Sequence, residues 1–341
     1  MEMEGEKGSG SRVVCVTGGG GYIASWLIMR LLQLGYSVRA TARLDPKLKK
    51  DLSHLTNLPR ASQNLKIFNA DLNQPDSFTA AIEGCDGLFH VAHPLDLEDC
   101  EVDDAKVNML VEGTLGVLKA CVKSKTVKRV VYTSSVATVV ANKTGLMEMD
   151  ESIWSDIDFV KAYKFPGSSY VAAKTLSEQA AIKFAEEHGL ELVTVISSMV
   201  AGPFICPSLP SSVCMALALI MGKSDQYINL VKANLVHIDD IVAAHIFLLE
   251  CPKAKGRYIC SAIETTIHEL AKYLSIKYPE FEMPMDSLKG APEMQPIHVS
   301  SKKLMDLGFK FLMVWMKYLM EQFKVAKKKG LCRCLLVLEL P

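Results

Sequence analysis

Residues 12–34 read RVVCVTGGGGYIASWLIMRLLQL. A continuous β-branched run over 12–17 leads into four glycines. Apolar residues then recur at helical spacing over 22–34. Strand, glycine turn and amphipathic helix, in that order, predict the first βα unit of a dinucleotide-binding fold. The spacing is G-x-x-G-x-x-A, with Gly18, Gly21 and Ala24 at the marked positions. Gly18 permits the tight turn, Gly21 lets backbone approach a pyrophosphate, and Ala24 lets the helix pack closely on the sheet. The amides that open the helix, at Tyr22 and Ile23, then present the positive end of the helix dipole to the phosphate.

Working outward, the same rhythm continues. Strands are predicted over 37–42, 65–70, 87–92, 128–134 and 192–197, with long helices over 103–123 and 169–188. The strands are continuously apolar rather than alternating, which implies burial on both faces of a parallel sheet. The expected fold class is α/β: a Rossmann-type parallel sheet flanked by helices over 12–202. After Gly202 the rhythm changes. Pro203, Pro207 and Pro210 interrupt the chain and helical patterns then dominate. Residues 203–330 are therefore expected to form a smaller, mostly helical substrate lobe, with the chain crossing back between the two parts. Residues 1–11 read as a disordered tail.

Composition narrows the class of function. The 341 residues are 49% hydrophobic and 22% charged, with 38 basic against 38 acidic side chains. Zero net charge gives no field for nucleic acid or an anionic membrane. No apolar run reaches the roughly 20 residues that span a bilayer, and 1–11 lack the apolar core of a secretory signal. The expectation is a cytoplasmic protein with reduced thiols. Cys332 and Cys334 form a CxC with no second ligand pair, so no metal site is expected. No exposed apolar helix pair declares itself, and a monomer is favoured.

The second predicted strand ends at Arg43, where an acidic residue would bind the ribose hydroxyl of NAD. A guanidinium there, with Lys47, Lys49 and Lys50 close behind, suits a 2′-phosphate and favours NADPH/NADP. Asp71, after the third strand, is placed to meet the adenine amino group; capping the helix near Pro75 is the alternative.

Tyr170-Val171-Ala172-Ala173-Lys174 is Y-x-x-x-K on a predicted helix, so both side chains share one face. A phenol with a pKa near 10 is a poor proton donor at neutral pH until an ammonium stabilises its phenolate. Lys174 supplies that charge and can hold the nicotinamide ribose. Tyr170 then protonates a carbonyl oxygen as hydride reaches the carbon. Ser135, where the fifth strand ends, would hydrogen-bond the same oxygen. Ser134 competes for this role; Ser135 is preferred because it precedes the small-residue run Val136-Ala137-Thr138.

These residues resemble the extended short-chain dehydrogenase/reductase family, and within it the plant dihydroflavonol reductase group, in the branch that includes vestitone reductases and noscapine synthases. The likeness runs from about Arg12 to Phe311. It is carried by VCVTGGGGYIASWL from Val14, FHVAHP from Phe89, KTVKRVVYTSS from Lys125, DESIWSD from Asp150, YVAAKTLSEQAA from Tyr170, GPF from Gly202 and VHIDDIVAAHIFLLE from Val236. It implies NADP(H)-dependent reduction, or in the other direction oxidation, of carbonyl or carbinol carbons on small flavonoid, isoflavonoid, phenylpropanoid or alkaloid substrates. It implies Ser135, Tyr170 and Lys174 as the triad and Arg43 as the 2′-phosphate ligand. Asp71 and Leu72 would frame the adenine. Val91, Ala92 and His93 would line the ribose–phosphate path, and Ser197, Ser198, Met199 and Val200 would sit near the nicotinamide.

The chain departs from the family pattern at several places. His93 replaces a Thr or Ser, and packing is preferred to a pocket role for it. Val140 stands where flavonoid-gripping members carry Asn, which points to a more apolar substrate. Ser197-Ser198-Met199 replaces Pro-Thr-Leu. Leu110 replaces an asparagine, and Asn108, offset by two, cannot substitute. Residues 313–323 (MVWMKYLMEQF) read as a frame-shifted version of the family tail, and 331–341 (LCRCLLVLELP) as an atypical extension. Two readings compete with reduction: an alcohol or hemiacetal dehydrogenase using the same residues in reverse, and a non-catalytic NADP(H)-binding or inactive paralogue.

Overall fold

The computed structural model describes residues 12–43, 51–94, 97, 99–143, 146, 148–277, 279, 283–284, 288 and 297–312. Its frame is a seven-stranded sheet whose neighbouring strands are all parallel. The strands are β1 (Val13–Val16), β2 (Ser37–Ala42), β3 (Leu65–Asn69), β4 (Gly87–His90), β5 (Arg129–Ser135), β7 (Glu191–Ser197) and β10 (Gly256–Cys260), in the order β10-β7-β5-β4-β1-β2-β3. The order reverses between β1 and β4, and a crevice at such a switch point is where open α/β sheets bind ligands.

Strand alternation explains how the sheet is covered. Val14, Val16, Phe89, Val131 and Val193 face one side, in one core with Leu27, Ile28 and Leu31 of helix α1 (Tyr22–Gln33). Ile241, Val242 and Leu248 of a later helix, Ile238–Glu250, join that core. Cys15, Leu88 and Val130 face the other side, against Val117, Leu118, Ala181 and Phe184. Those last four lie on α2 (Asp104–Ser124) and α3 (Ser168–His188), and Ile238–Glu250 is α4. Each such large aliphatic, fully buried, contributes about 1.5–3 kcal/mol. Helix α1 stops where Gly35 takes φ +86°. The Gly35 and Tyr36 amides donate to Leu32 and Leu31 carbonyls, which satisfies the last turn.

The sequence expectation and the structure differ after residue 203. Short helices Ser211–Ala216 and Ala218–Met221 and the helix Ile267–Lys277 pack a second core of Phe204, Val213, Leu217, Leu235, Leu270 and Leu274. Residues 238–260 cross back to the nucleotide-binding layer as α4 and β10. β10 pairs with β7, Gly256 opposite Val193 and Cys260 opposite Ser197. The lobe also carries strand: β9 (Ala233–His237) pairs parallel with β8 (Met199–Ala201) and antiparallel with β11 (Ile263–Thr265). A last pair joins β6 (Glu148–Met149) to β12 (His298–Val299). These strands are short, and their partners are remote in sequence.

The expected strand 87–92 ends at His90, and residues 91–94 run on without regular structure. None of the eight cysteines among the described residues is in a disulfide. Residues 1–11, Lys47, Lys49, Lys50, Cys332, Cys334 and the segments 313–323 and 331–341 lie outside the described residues.

Candidate active site

One cavity of about 760 Å³ opens along the C-terminal ends of β1, β4, β5 and β7. At one end lie Gly18, Gly21, Tyr22, Ile23 and Ala24. Gly18 has φ +72°, and a Cβ there would meet the Ala92 Cα at 2.9 Å, so only glycine lets the β1 turn pass the β4 end. Gly19 N–H donates to the Thr41 carbonyl (2.7 Å) and Gly21 N–H to the Gly18 carbonyl (2.8 Å), which closes the turn. No side chain caps α1, so the N–H groups of its first turn remain for an anion. The Tyr22 hydroxyl donates to the Gly202 carbonyl at 2.9 Å and ties the start of α1 to the residue after β8.

Arg43 is exposed at the end of β2 and lines the same cavity, as do Asp71, Leu72, Val91, Ala92 and His93. Asp71 does not cap the short helix Pro75–Phe78, whose N-cap is Gln74. Its Oδ1 accepts the Asn73 N–H at 3.0 Å instead, a local turn that leaves Asp71 on the cavity wall. Leu110 lines the cavity while Asn108 is exposed, as the two-residue offset on one helix requires.

At the middle of the cavity stand Ser135, Tyr170 and Lys174. Helix α3 presents Tyr170 and Lys174 on one face. Lys174 is 4% exposed and donates from Nζ to the Thr133 carbonyl at 2.8 Å. Burial pushes its pKa down to about 7, against the opposing pull of the Glu178 charge. Burial also raises the Tyr170 phenol above its ordinary range, and a hydrogen bond from Ser135 opposes that rise by favouring the phenolate. Both candidate serines line the cavity, and their hydroxyls take different partners. Ser134 Oγ donates to Glu178 Oε2 at 2.6 Å, inside the protein. Ser135 Oγ accepts the Ala137 N–H at 3.2 Å and reaches Tyr170. Successive strand residues face opposite ways, so one serine turns to the interior and the next stays at the site.

His93 does both things that the sequence set against each other. Its ring meets Tyr170 edge-on, centroids 5.7 Å apart, and it lines the cavity. Burial, and then the Lys174 charge, hold its pKa well below the ordinary value. His90 is pushed down to about 3 by the same causes in the same order. Both imidazoles are neutral at pH 7. Thr17, absent from the sequence-based site, ties this region together. Its Oγ1 accepts the Val91 and Ala92 N–H groups, each at 3.0 Å, and contacts His90 Nδ1 at 2.9 Å. With two donors already on Oγ1, the hydroxyl proton goes to Nδ1, which leaves the His90 proton on Nε2.

Ser197, Ser198, Met199 and Val200 follow β7 on the cavity wall. The Ser197 hydroxyl donates to the Ser198 carbonyl at 2.8 Å. The far end is bounded by Val136, Val140, Phe165 and Met215, with Ser211 and Asn229 as polar groups. Glu178 and Arg257, which sequence reading did not single out, lie directly behind the triad. Glu178 had a signal in its spacing, four residues past Lys174 and eight past Tyr170; Arg257 had none.

Comparison with known proteins agrees with this arrangement. The NAD dependent epimerase/dehydratase family matches over residues 14–260. Noscapine synthase SDR1 of Papaver somniferum is 48% identical over 335 residues, covering 96% of this chain and 95% of that protein. Vestitone reductase of Medicago sativa is 46% identical over 318 residues, covering 93% and 97%. The crystal structure of vestitone reductase from alfalfa superposes with a TM-score of 0.84 at 44% identity, covering 93% of this chain and 99% of that one. A family match over most of the described core, relatives near half identity across almost the full length, and one shared fold lead to one conclusion: this chain belongs to the NAD dependent epimerase/dehydratase family, as an extended short-chain dehydrogenase/reductase.

Proposed function

We propose that this chain is an NADPH-dependent carbonyl reductase of plant specialised metabolism, acting on a small aromatic ketone. The observation that carries this reading is the meeting of Ser135, Tyr170 and Lys174 on the wall of a cavity that continues to the glycine turn. The cavity also fits the cofactor: glycine where a Cβ would strike Ala92, an uncapped helix start, and Arg43 at the end of β2. When bound, NADPH supplies the hydride. Tyr170 gives its phenolic proton to the carbonyl oxygen. Ser135 hydrogen-bonds that oxygen and favours the resulting phenolate. Lys174, one turn along α3 from Tyr170 and held at the Thr133 carbonyl, supplies the positive charge that favours that phenolate. Val136, Val140, Phe165 and Met215 give the substrate end an apolar character suited to a flat ring system. Residues 12–202, joined by 238–260 where the chain crosses back, form the cofactor half and the rest of 203–312 the substrate lobe, in a cytoplasmic monomer. No helix among the described residues is long and apolar enough to cross a membrane.

The test is NADPH oxidation by the purified protein against vestitone, dihydroquercetin, a cinnamaldehyde and a cinnamoyl-CoA. Turnover of one of them supports the reading. Tight NADPH binding with no turnover of any carbonyl, in either direction, favours a non-catalytic paralogue. The reverse reaction is the second reading, favoured by the 48% identity to a noscapine synthase. It is tested by supplying NADP with hemiacetal alkaloids.

Two further outcomes are expected. Arg43→Ala should weaken NADPH about 10- to 100-fold, the value of a hydrogen bond to a charged group, and leave NADH affinity nearly unchanged. Fluorescence titration of both cofactors measures this; equal losses would remove Arg43 from the 2′-phosphate role. The second concerns pH. Lys174 is an ammonium below about 7 and an amine above it. The ammonium supports the phenolate, so kcat/KM for reduction should be highest below that value and fall as pH rises through it. A rate that climbs steadily from pH 6 to 8 would contradict this.

A further inference from the structure

We propose that Glu178 is a positioning residue for this reaction: with Arg257 behind it, it fixes where Lys174 and the end of β5 meet Tyr170, and it supplies the counter-charge that keeps Lys174 an ammonium in a buried site. The proposal rests on the assignment of Tyr170 and Lys174 given above.

Tyr170, Lys174 and Glu178 occupy successive turns of one face of α3. Glu178 is 0% exposed, and a carboxylate is kept ionised in such a place only by donors and a cation. It has them. Oε2 accepts from Ser134 Oγ (2.6 Å), and Oε1 accepts from Thr194 Oγ1 (2.9 Å) and Arg257 Nε (3.0 Å). One carboxylate therefore joins α3 to β5, β7 and β10. Ser134 is the residue before Ser135, so its bond to Glu178 sets the height at which the strand end faces Tyr170.

Arg257 is itself fixed on every side. Its Nη1 donates to the Glu151 and Ile153 carbonyls (2.6 and 3.0 Å), and its Nη2 to Thr138 Oγ1 (3.1 Å). Its guanidinium lies over the Trp154 ring, 3.5 Å from the centroid. The pair thus gathers the DESIWSD stretch and the segment after Ser135 around the active site. A simple structural ion pair would need no particular place. This one lies one helical turn behind the lysine whose charge the reaction uses.

The groups facing Lys174 come from three elements. On α3 they are Tyr170 and Glu178. From β4 and the residues after it come His90 and His93, both neutral. β5 contributes the Tyr132 ring, 5.5 Å from Nζ, and the Thr133 carbonyl. Among these groups Glu178 is the one anion that opposes the burial of the Lys174 ammonium.

The experiment uses the full chain, reductively methylated with ¹³C-formaldehyde, and follows the lysine methyl signals by NMR against pH. The wild type should give a signal, absent from Lys174→Arg, that titrates near 7. In Glu178→Gln its midpoint should fall by about one pH unit. Glu178→Asp, which keeps the charge, should restore it. If the single variant does not fold, Glu178→Gln with Arg257→Met removes both charges together, and its midpoint should also fall. A midpoint unchanged in either folded variant overturns the proposal. The catalytic assignment is tested apart from it: full activity in Tyr170→Phe would remove that assignment, whereas an inactive Tyr170→Phe with an unmoved Lys174 midpoint in Glu178→Gln would remove only the role of Glu178.

Discussion

Tyr170→Phe is expected to lower kcat/KM for carbonyl reduction by about 10²- to 10⁴-fold, the usual contribution of a positioned proton donor. The substitution deletes one oxygen and keeps the ring. The ring packs edge-on against His93, so the wall of the cavity is retained. A substitute donor would have to be His90, His93 or Lys174. His90 and His93 are neutral, held there by burial and then by the Lys174 charge. The Lys174 ammonium is held at the Thr133 carbonyl. Steady-state kinetics with a carbonyl that turns over would show the loss in kcat, and NADPH titration should show nearly unchanged affinity. If both parameters fell together, the phenol would be binding the cofactor and not donating the proton. If kcat were retained, another acid would be at work.

The largest expected effect on stability is at Arg257. Arg257→Ala removes the guanidinium paired at 3.0 Å with the Glu178 carboxylate, which is 0% exposed, and loss of one partner of a buried pair costs about 3–5 kcal/mol. Each kcal/mol lowers the Tm of a domain of this size by about 2–4 °C, so thermal unfolding should shift down on the order of 10 °C. The contrast is Lys302 with Asp306, a pair whose side chains are 74% and 61% exposed. Pairs of that kind contribute about 0.2–1 kcal/mol, so Asp306→Asn should barely move the Tm. Arg257→Ala combined with Glu178→Leu should recover much of the loss, because both charges then leave the interior. Equal small shifts for Arg257→Ala and Asp306→Asn would show that the Glu178 site is wet and that its pairing contributes little.

Much of the frame is legible in the sequence, and for a local reason. β1, β2, β3, β5 and β7 lie within a residue or so of their expected bounds because each is a short apolar run flanked by turn residues. The glycine turn is legible because Gly18 takes a backbone conformation and an approach to Ala92 that no other residue can. Tyr170 and Lys174 are legible because four residues on a helix are one turn of one face, whatever packs beside it. β10 is not. GRYIC is a short run with an arginine in it, and it becomes a strand of the main sheet by pairing with β7, some sixty residues earlier in the chain. The same holds for β9 and β11, which put strands into a region whose pattern reads as helical.

The sequence by itself therefore determined the parallel α/β frame, the glycine turn, the basic end of β2 and the tyrosine–lysine pair. All of these follow from residues near one another in the chain, through backbone conformation and helical or strand periodicity. Tertiary structure decided which of two adjacent serine hydroxyls turns to Glu178 and which to Tyr170, because that depends on which side of β5 meets α3. It also brought Thr17 under the β4 end. It joined Glu178 to Arg257, 79 positions along the chain, because only β10 docked beside β7 brings that guanidinium to the back of the catalytic helix.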